Sequence, residues 1–241
     1  AAGLGTRLRP LTDTMPKALV PVGGRPLLKI LIEKMIAAGV TEIVINVHHF
    51  AEQIVRFVEE HRSFGIRIAF SDETAGLLET GGGIKQAVPL LTAGSMGEER
   101  FLIHNVDILS NVDLGDFYRQ ARPGAAVLLV SERQTQRYLL FDDDDRLVGW
   151  TNLKTGEVKT PYPHLDVNAC RRYAFAGIHL ISSRLFPRFE AWGPKFSIID
   201  FYLSVCHEEP IYARVCPDLR LMDVGKQDTL AQADAFLLTC V

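Results

Sequence analysis

The amino-acid sequence predicts an α/β protein whose mixed, mostly parallel sheet is covered by helices on both faces. Apolar runs rich in β-branched residues alternate with amphipathic segments of helical spacing through the first half of the chain. Such alternation is typical of a largely parallel sheet, because each strand must return to the same edge through a helix. The chain has 241 residues, of which 47% are hydrophobic and 23% are charged. This composition is that of a globular protein with one sizeable core.

The first half of the chain divides into alternating strands and helices. The segment 42–49 (EIVINVHH) has the β-branched composition of a buried strand. The segment before it carries apolar residues at helical spacing and is followed by Gly39, a common helix terminator. On the same criteria we predict strands at 42–49, 66–71, 101–105 and 125–130, and helices at 26–38, 51–62, 84–91 and 114–120.

The second half of the chain breaks this alternation. Residues 139–152 predict a β-hairpin whose turn is a run of four aspartates. We interpret that run as a solvated turn, because the ligand spacing and the closing Glu of a calcium loop are absent. Residues 153–172 are polar, contain two prolines and predict a loop or flap. The remaining elements are predicted as strands at 174–181 and 211–215 and helices at 198–207 and 229–238.

Charge and composition argue against several classes of partner. The net charge of −3 implies no strong attraction to nucleic acid or to an anionic membrane. No apolar run approaches the ~20 residues that a membrane-spanning helix needs. The four cysteines are scattered, which favours reduced thiols in a cytoplasmic protein over a disulfide or zinc framework. His48 and His49 are adjacent on a predicted strand and so face opposite sides, which is a poor arrangement for shared metal ligation.

The strongest local signal is the glycine-rich opening, residues 1–28. Its small residues allow close approach to a ligand and expose a run of backbone N–H donors. Arg7 offers a fork for phosphate oxygens, and Lys17 offers a point charge. The segment matches neither the phosphate-binding GxxxxGK[ST] loop nor the dinucleotide-binding GxGxxG pattern. The residues alone are compatible with a polyphosphate site and with an ordinary surface turn.

Three further segments carry candidate functional residues. Residues 79–84 (ETGGGI) predict either a ligand-binding loop or a helix N-terminus with a glycine turn. Asp107 follows a buried strand, at the sheet edge where open α/β sheets bind ligands. Asp223 lies in the segment 222–225 (MDVG). Taken singly, each aspartate could equally be a loop cap or a turn residue.

The sequence resembles the NDP-sugar pyrophosphorylases, a family of nucleotidyltransferases with a Rossmann-like core. The resemblance lies in four motifs that occur in the family's order: GTRLRPLT, PKALVPVGGRPLL, ETGGGI and MDVG. The resemblance runs from Ala1 to about Leu238. It implies one nucleotidyltransferase domain over 1–241, with the nucleotide-binding core mainly in 1–130. A small β-rich sugar-binding lobe and closing helices are expected in 131–241. The family has a strand before its glycine loop, so we expect several residues to precede Ala1.

The resemblance also implies a role for each matching residue. The glycine loop wraps the triphosphate, Arg7 contacts its β- and γ-phosphates, and Lys17 lies near the reacting phosphates. Two aspartates, Asp107 and Asp223, hold Mg²⁺. The nucleotide-binding residues implied on the glycine loop and on the base-reading loop 77–82 are Ala2, Gly3, Gly5, Thr6, Glu79, Thr80, Gly81 and Gly82.

The family lines its sugar site with the strand that here reads 174–181. The sugar-binding candidates are Asn105, Phe175, Gly177, Arg172 and Lys195. Arg172 also fits an ordinary solvated pair with Arg171. The sequence departs from the family pattern in having valine at 106, leucine at 221 and lysine at 226.

The implied reaction joins an NTP to a sugar 1-phosphate and releases pyrophosphate, with Mg²⁺ as cofactor. The motif LLETGGGIKQAVPLL and the short C-terminal half favour UTP and N-acetylmuramate 1-phosphate, a step of cell-wall sugar metabolism. Guanylyl transfer to mannose or heptose 1-phosphate is the alternative, and a catalytically silent nucleotide-sugar-binding regulatory protein is a third. We expect no nucleic acid or membrane partner, a cytoplasmic location, and a monomer or homodimer.

Overall fold

The computed structural model describes residues 1–94 and 96–240, the last of these without its side chain. Within these ranges the α-helices are α1 (Leu27–Ala37), α2 (Ala51–Glu60), α3 (Glu79–Leu91), α4 (Leu114–Arg119), α5 (Ile198–Val205) and α6 (Gln227–Cys240). The strands are β1 (Pro21–Val22), β2 (Arg25–Pro26), β3 (Glu42–Val47), β4 (Arg67–Asp72), β5 (Arg100–His104), β6 (Ile108–Ser110), β7 (Ala126–Ser131), β8 (Arg137–Phe141), β9 (Leu147–Asn152), β10 (Glu157–Lys159), β11 (Arg171–Ser182), β12 (Ile211–Val215) and β13 (Leu221–Asp223). Across the described residues, every helix is too short or too polar to cross a membrane.

The central sheet is mixed, as the sequence predicts. Its strands follow the order β10-β9-β8-β11-β7-β12, and β5 also pairs with β11. Both β5 and β7 are antiparallel to β11, and β12 is parallel to β7, so these three strands run in one direction. Strands β3 and β4 form a separate parallel pair. The predicted α/β class is therefore confirmed, with β11 as the strand that opposes β5, β7 and β12.

Strand β11 joins the core to a small antiparallel lobe. Its first three residues pair with β8, and its last five pair with β5. Strands β8, β9 and β10 complete the lobe as successive antiparallel neighbours. The pairing of β11 with β7 shifts register between Phe175 and His179, where Gly177 has φ 75°. Glycine suits that bulge because its missing Cβ permits the left-handed backbone.

Helices cover the core sheet on both faces. Alternate residues of β7 enter two different clusters, with Leu128 and Val130 in one and Val127 and Leu129 in the other. The first cluster includes side chains of α3 and α5, and the second includes side chains of α1 and α4. Each such buried aliphatic side chain contributes about 1.5–3 kcal/mol relative to exposure. Burial on both faces explains why β7 is a continuous apolar run.

Most element boundaries agree with the sequence predictions, with two differences. Helix α3 begins at Glu79 and thus includes the ETGGG motif, so of the two alternatives predicted for this segment the structure has the helix N-terminus and not the loop. The segment 153–172 is not wholly a loop, because β10 pairs with β9 inside it. Gly156, at φ 73°, closes the turn by donating its N–H to the carbonyl of Asn152 at 2.8 Å. The three residues of β10 are all exposed, so this strand has no apolar pattern that sequence reasoning could detect.

A cavity of about 510 Å³ separates β3 from β5. Its lining includes Ala1, Ile45, Ala87 and Leu102, together with other residues of both strands. Among the described strands, β3 pairs only with β4, and β5 pairs only with β11. None of the four residues predicted to handle phosphate and metal lines this cavity. The candidate site must therefore be located from those four residues rather than from this cavity.

Candidate active site

The glycine-rich opening folds into consecutive 3-10 turns, the first at Thr6–Leu8. Gly5 precedes that turn with φ 65°, and a Cβ there would lie 2.8 Å from Cγ2 of Thr12 and 3.2 Å from Cβ of Lys17. The hydroxyl of Thr12 donates to the Gly5 carbonyl at 2.8 Å. Glycine is thus required at position 5 by both conformation and space. By contrast, Gly3 is exposed and has open space around its Cβ position.

The two predicted metal ligands are brought together by a small antiparallel sheet. Strand β13 pairs with β6, so Asp223 lies opposite Ile108. The backbone N–H of Val224 donates to the carbonyl of Asp107 at 2.8 Å. Two residues that are far apart in the chain therefore lie at one end of one pair of strands.

Three predicted residues converge around Gly225, and the fourth, Asp107, pairs with one of them. A Cβ at this position would lie 2.6 Å from Oδ1 of Asp223, 2.8 Å from Nη2 of Arg7 and 3.3 Å from Nζ of Lys17. The Lys17 ammonium also forms an ion pair with the Asp107 carboxyl group. Lys17 is only 8% exposed, so this pair lies where water screens it weakly. The site combines two cationic and two acidic side chains beside a space that only glycine leaves free.

The ETGGG glycines serve packing at the start of α3. The N–H groups of Gly81 and Gly82 both donate to the carbonyl of Phe196, at 2.9 and 3.2 Å. A Cβ on Gly81 would overlap the Phe196 ring, and one on Gly82 would overlap the carbonyl oxygen of Pro194. These amides therefore already have acceptors within the protein, contrary to the expectation that they line a nucleotide-binding loop.

Predicted nucleotide-side and sugar-side residues meet along the same contact. The hydroxyl of Thr80 accepts a hydrogen bond from the N–H of Ile198 at 3.1 Å. The carboxyl group of Glu79 lies 3.8 Å from the ammonium of Lys195, and both side chains are about half exposed. We call the contact between residues 78–82 and 194–198 the α3 seam. It places Glu79, Thr80 and Lys195 on one face of the molecule.

The bulge of β11 positions two of the sugar-binding candidates. The N–H of Asn105 donates to the carbonyl of Gly177 at 3.0 Å, and a Cβ on Gly177 would lie 2.8 Å from Nδ2 of Asn105. Phe175 lies two residues before the bulge and packs against the larger core cluster. Arg172 is three residues from Phe175, so strand alternation turns it to the other face. There its guanidinium donates to the side chain of Asn168 at 3.3 Å.

The neighbouring Arg171 is engaged elsewhere. Its guanidinium lies 3.0 Å from the carboxyl of Asp145 and 3.7 Å from that of Asp143. It therefore binds the acidic turn of the hairpin. Two aspartates of the run, Asp143 and Asp145, are therefore ion-pair partners of a surface arginine.

Sequence reasoning missed two groups near the candidate site. Glu73, directly after β4, is buried and accepts hydrogen bonds from Asn46 and from the backbone of Leu78. Arg133 donates to the carbonyl of Phe175 at 3.1 Å. A single Glu or Arg in a polar segment has no periodicity or motif, so only the tertiary contacts identify these two.

His104, His179 and His48 have structural environments. Burial lowers the pKa of His104 to about 4 and that of His179 to about 3. His48 contacts the carbonyl of Glu73 through Nδ1 at 2.6 Å, which agrees with an ordinary structural role. Within the described part of the chain, no cluster of three or more His, Cys, Asp or Glu side chains is arranged to hold a metal ion.

Comparison with protein families and curated proteins identifies relatives of this chain. A family model described as nucleotidyl transferase matches residues 1–141. N-acetylmuramate alpha-1-phosphate uridylyltransferase of Caulobacter vibrioides is 45% identical over 98% of this chain and 94% of its own length. The protein of the same name from Neisseria meningitidis is 45% identical over 50% of each chain, so this match spans half of that relative. Mannose-1-phosphate guanyltransferase of Kluyveromyces lactis is 38% identical over 54% of this chain and 36% of its own.

Solved structures support the same fold. HddC from Yersinia pseudotuberculosis has a TM-score of 0.74 at 21% identity, covering 98% of this chain and 96% of its own. A putative glucose-1-phosphate thymidylyltransferase from Bacillus anthracis has a TM-score of 0.78 at 18% identity, covering 98% and 92%. At these identities the likeness is one of fold. The family model matches more than half of the chain, and the Caulobacter relative is similar over nearly all of both chains. This chain therefore belongs to the nucleotidyl transferase family, among the sugar-1-phosphate nucleotidyltransferases.

Proposed function

We propose that this chain transfers a uridylyl group from UTP to N-acetylmuramate 1-phosphate and releases pyrophosphate. The observation that carries this substrate pair is the Caulobacter relative, which is 45% identical and aligned over nearly all of both chains. The Neisseria relative of the same name supports the pair over half its length. The proposed reaction would supply a UDP-linked amino sugar to cell-wall synthesis.

In this reaction a phosphate oxygen of the sugar 1-phosphate attacks the α-phosphorus of UTP. A new phosphoanhydride bond forms, and the bond from the α-phosphorus to the bridging oxygen breaks with its electron pair passing to pyrophosphate. No general base is required, because the attacking phosphate is already ionised near neutral pH. The protein must instead bring anionic groups together in line and neutralise their charge.

We assign the charge neutralisation to Arg7 and Lys17. The planar guanidinium of Arg7 suits the leaving pyrophosphate, to which it can donate two parallel hydrogen bonds. The Lys17 ammonium, held by Asp107, suits the α-phosphate as a point charge. Both cations lie beside Gly225, in the space that a larger residue would fill.

Asp107 and Asp223 are the proposed Mg²⁺ ligands. They fit this ion because the pairing of β6 with β13 places both residues at one end of the small sheet, and Gly225 leaves room beside Asp223. Mg²⁺ prefers oxygen ligands and usually combines one or two carboxylates with substrate phosphates and water. When bound, it would neutralise charge on the phosphates.

The nucleotide is proposed to lie between the opening loop and the start of α3. Ala2, Gly3, Gly5 and Thr6 would surround the triphosphate, with Glu79, Thr80 and the preceding loop beside the nucleoside. Gly81 and Gly82 have their amides on Phe196, so we assign them an indirect role in shaping this region.

The sugar is proposed to lie against Asn105, Phe175 and Gly177. N-acetylmuramate carries a lactyl carboxylate, which requires a cation or backbone donors. We assign this role to Lys195, because it lies on the α3 seam near Glu79. Arg172 remains a weaker proposal, since it lies on the other face of β11.

A panel of substrate pairs tests the proposed specificity. We expect UTP with N-acetylmuramate 1-phosphate to exceed GTP with mannose 1-phosphate by at least about tenfold in kcat/KM, or about 1.4 kcal/mol. A preference for GTP and mannose 1-phosphate would reject the substrate assignment and leave the family intact.

Guanylyl transfer to mannose 1-phosphate is the second candidate function. The Kluyveromyces relative favours it, although that similarity covers only 54% of this chain. The third reading, a catalytically silent regulatory protein, is disfavoured because Arg7, Lys17, Asp107 and Asp223 are all present and converge. A cytoplasmic location and a monomeric or homodimeric state remain parts of the proposal.

A further inference from the structure

A buried carboxyl group lies beneath the start of α3 and has no part in the proposed chemistry. Glu73 is only 3% exposed. Its Oε1 accepts a hydrogen bond from Nδ2 of Asn46 at 2.8 Å, and its Oε2 accepts one from the N–H of Leu78 at 3.3 Å. Both oxygens therefore bind donors of the protein itself. Glu73 is placed to hold structure rather than to touch a substrate.

The same group connects β3, the loop after β4 and the first turn of α3. Nδ2 of Asn46 also donates to the carbonyl of Gly83 at 2.8 Å. A Cβ on Gly83 would lie 2.7 Å from Oε1 of Glu73, so the helix approaches the carboxyl group closely. The carbonyl of Glu73 accepts from the N–H of Gly76 at 3.0 Å. Residues 73–78 thus form a loop that is tied at both ends to Glu73.

We infer that Glu73, together with Asn46, is a positioning residue for the nucleotide. It fixes the loop 74–78 and the first turn of α3, and through them Glu79 and Thr80, at the proposed nucleoside site. This inference rests on the proposed function. It adds a specific claim: the order of that loop, and hence UTP affinity, depends on two acceptor oxygens at position 73.

Glutamine cannot supply both acceptors. Its amide nitrogen would face either the N–H of Leu78 or the amide nitrogen of Asn46, and both of these are donors. Rotating the Asn46 amide would relieve one clash, but it would then turn the Asn46 oxygen toward the Gly83 carbonyl. A buried donor without a partner is unfavourable, and here that cost would fall on the loop. We therefore expect Glu73→Gln and Asn46→Ala to loosen the same segment.

The experiment compares the wild-type protein with Glu73→Gln, Asn46→Ala and the double variant. Glu59→Gln is the matched control, because Glu59 is an exposed carboxyl group on α2, outside the loop and the proposed site. We expect each single variant to raise the KM for UTP about tenfold, the change that about 1.4 kcal/mol produces. Both kcat and the KM for the sugar phosphate should stay within about twofold of wild type. The double variant should equal either single variant, because the two side chains act as one unit.

Hydrogen exchange of the amides in 74–82 and calorimetric binding of UTP provide readouts that do not depend on turnover. We expect faster exchange in this segment and weaker UTP binding in both single variants, with neither change in Glu59→Gln. Unchanged UTP binding with a lowered Tm would overturn the inference in favour of a purely structural role. A changed base preference in Glu73→Gln alone would overturn it in favour of direct contact with the base. If the wild-type protein neither binds UTP nor transfers its uridylyl group, the proposed function fails as well. If the wild-type protein binds UTP and the variants bind it equally well, only the inference is rejected.

Discussion

At the scale of single residues, the candidate site depends on charges that lie close together with little water. Lys17 is almost fully buried and pairs with Asp107, while Arg7 and Asp223 also lie close to the Cβ position of Gly225. All four residues were predicted from the sequence, through its resemblance to the family. The order of the motifs predicts that the four side chains lie close together. Their separation cannot be read from the sequence, because it depends on how β13 pairs with β6.

Asp223→Asn should remove nucleotidyl transfer with little loss of stability. The amide keeps the shape of the side chain but is a poor Mg²⁺ ligand, and we expect kcat to fall at least about 100-fold. The measurement is pyrophosphate release at saturating substrates, with thermal unfolding as the control. Activity near the wild-type value would contradict the metal assignment.

Asp107→Asn should lower both activity and stability. Its carboxyl group is the partner of buried Lys17, and breaking a buried ion pair costs about 3 kcal/mol. Denaturant unfolding should therefore separate the two variants, with a lower midpoint for Asp107→Asn than for Asp223→Asn. Equal midpoints would show that the Lys17 pair contributes nothing to the fold.

Arg7→Ala should weaken the use of UTP far more than binding of the sugar phosphate, because we place its guanidinium on the leaving pyrophosphate. Arg9→Ala is the matched control, since Arg9 lies two residues away and pairs with Asp13 at 3.1 Å on the surface. Steady-state kinetics with each substrate varied in turn gives the comparison. An equal loss of both affinities in Arg7→Ala would point to a general structural role.

The buried histidines predict a loss of stability in acid. His179 has a folded pKa of about 3, below its ordinary 6.5, because burial disfavours the charged ring. Below pH 6.5 the unfolded chain binds a proton that the folded chain does not, so stability is kept above that pH and falls toward pH 3. The slope from His179 alone reaches about 1.4 kcal/mol per pH unit.

Replacing His179 with leucine should flatten that slope, because it removes the titrating ring. Leucine breaks no hydrogen bond here, since neither ring nitrogen of His179 has a partner in the described part of the chain. The exposed His164, changed to leucine, is the control. The measurement is urea unfolding between pH 7 and pH 4. A slope unchanged by His179→Leu would refute the assignment of the acid sensitivity to this residue.

At the scale of elements, the ETGGG motif illustrates where sequence patterns mislead. Three glycines in a row predict a loop, because glycine has a high entropic cost within a helix. Here they form the first turns of α3. Phe196 approaches Gly81, the Pro194 carbonyl approaches Gly82 and the Glu73 carboxyl group approaches Gly83 too closely for any side chain. Tertiary packing has overridden local propensity, and no signal in the sequence distinguishes the two cases.

Gly82→Ala tests that explanation. The added methyl group would overlap the Pro194 carbonyl, so the α3 seam must shift, at a cost of about 2–3 kcal/mol. Gly97→Ala is the control, because nothing lies within 4 Å of its Cβ position. We expect Gly82→Ala to lower the midpoint of denaturant unfolding and Gly97→Ala to leave it unchanged. A stable Gly82→Ala protein would mean that the seam is looser than described.

At the scale of the whole molecule, the α/β class and the order of most elements could be predicted, because hydrophobic periodicity reports burial directly. The bridging role of β11 and the burial of Glu73 could not be predicted from the sequence, since both depend on contacts between segments far apart in the chain. The division into a core over 1–130 and a sugar-binding part over 131–241 stays a prediction. In the structure, β11 from the second part runs between β5 and β7 of the first.

Pyrophosphate release from UTP, measured with and without N-acetylmuramate 1-phosphate and with and without Mg²⁺, tests the account most directly. Product mass should be measured in the same samples. The account predicts pyrophosphate only when sugar phosphate and Mg²⁺ are both present, with equimolar UDP-linked amino sugar and almost no product from Asp223→Asn. Pyrophosphate release that is independent of the sugar phosphate, or undiminished in Asp223→Asn, would contradict it.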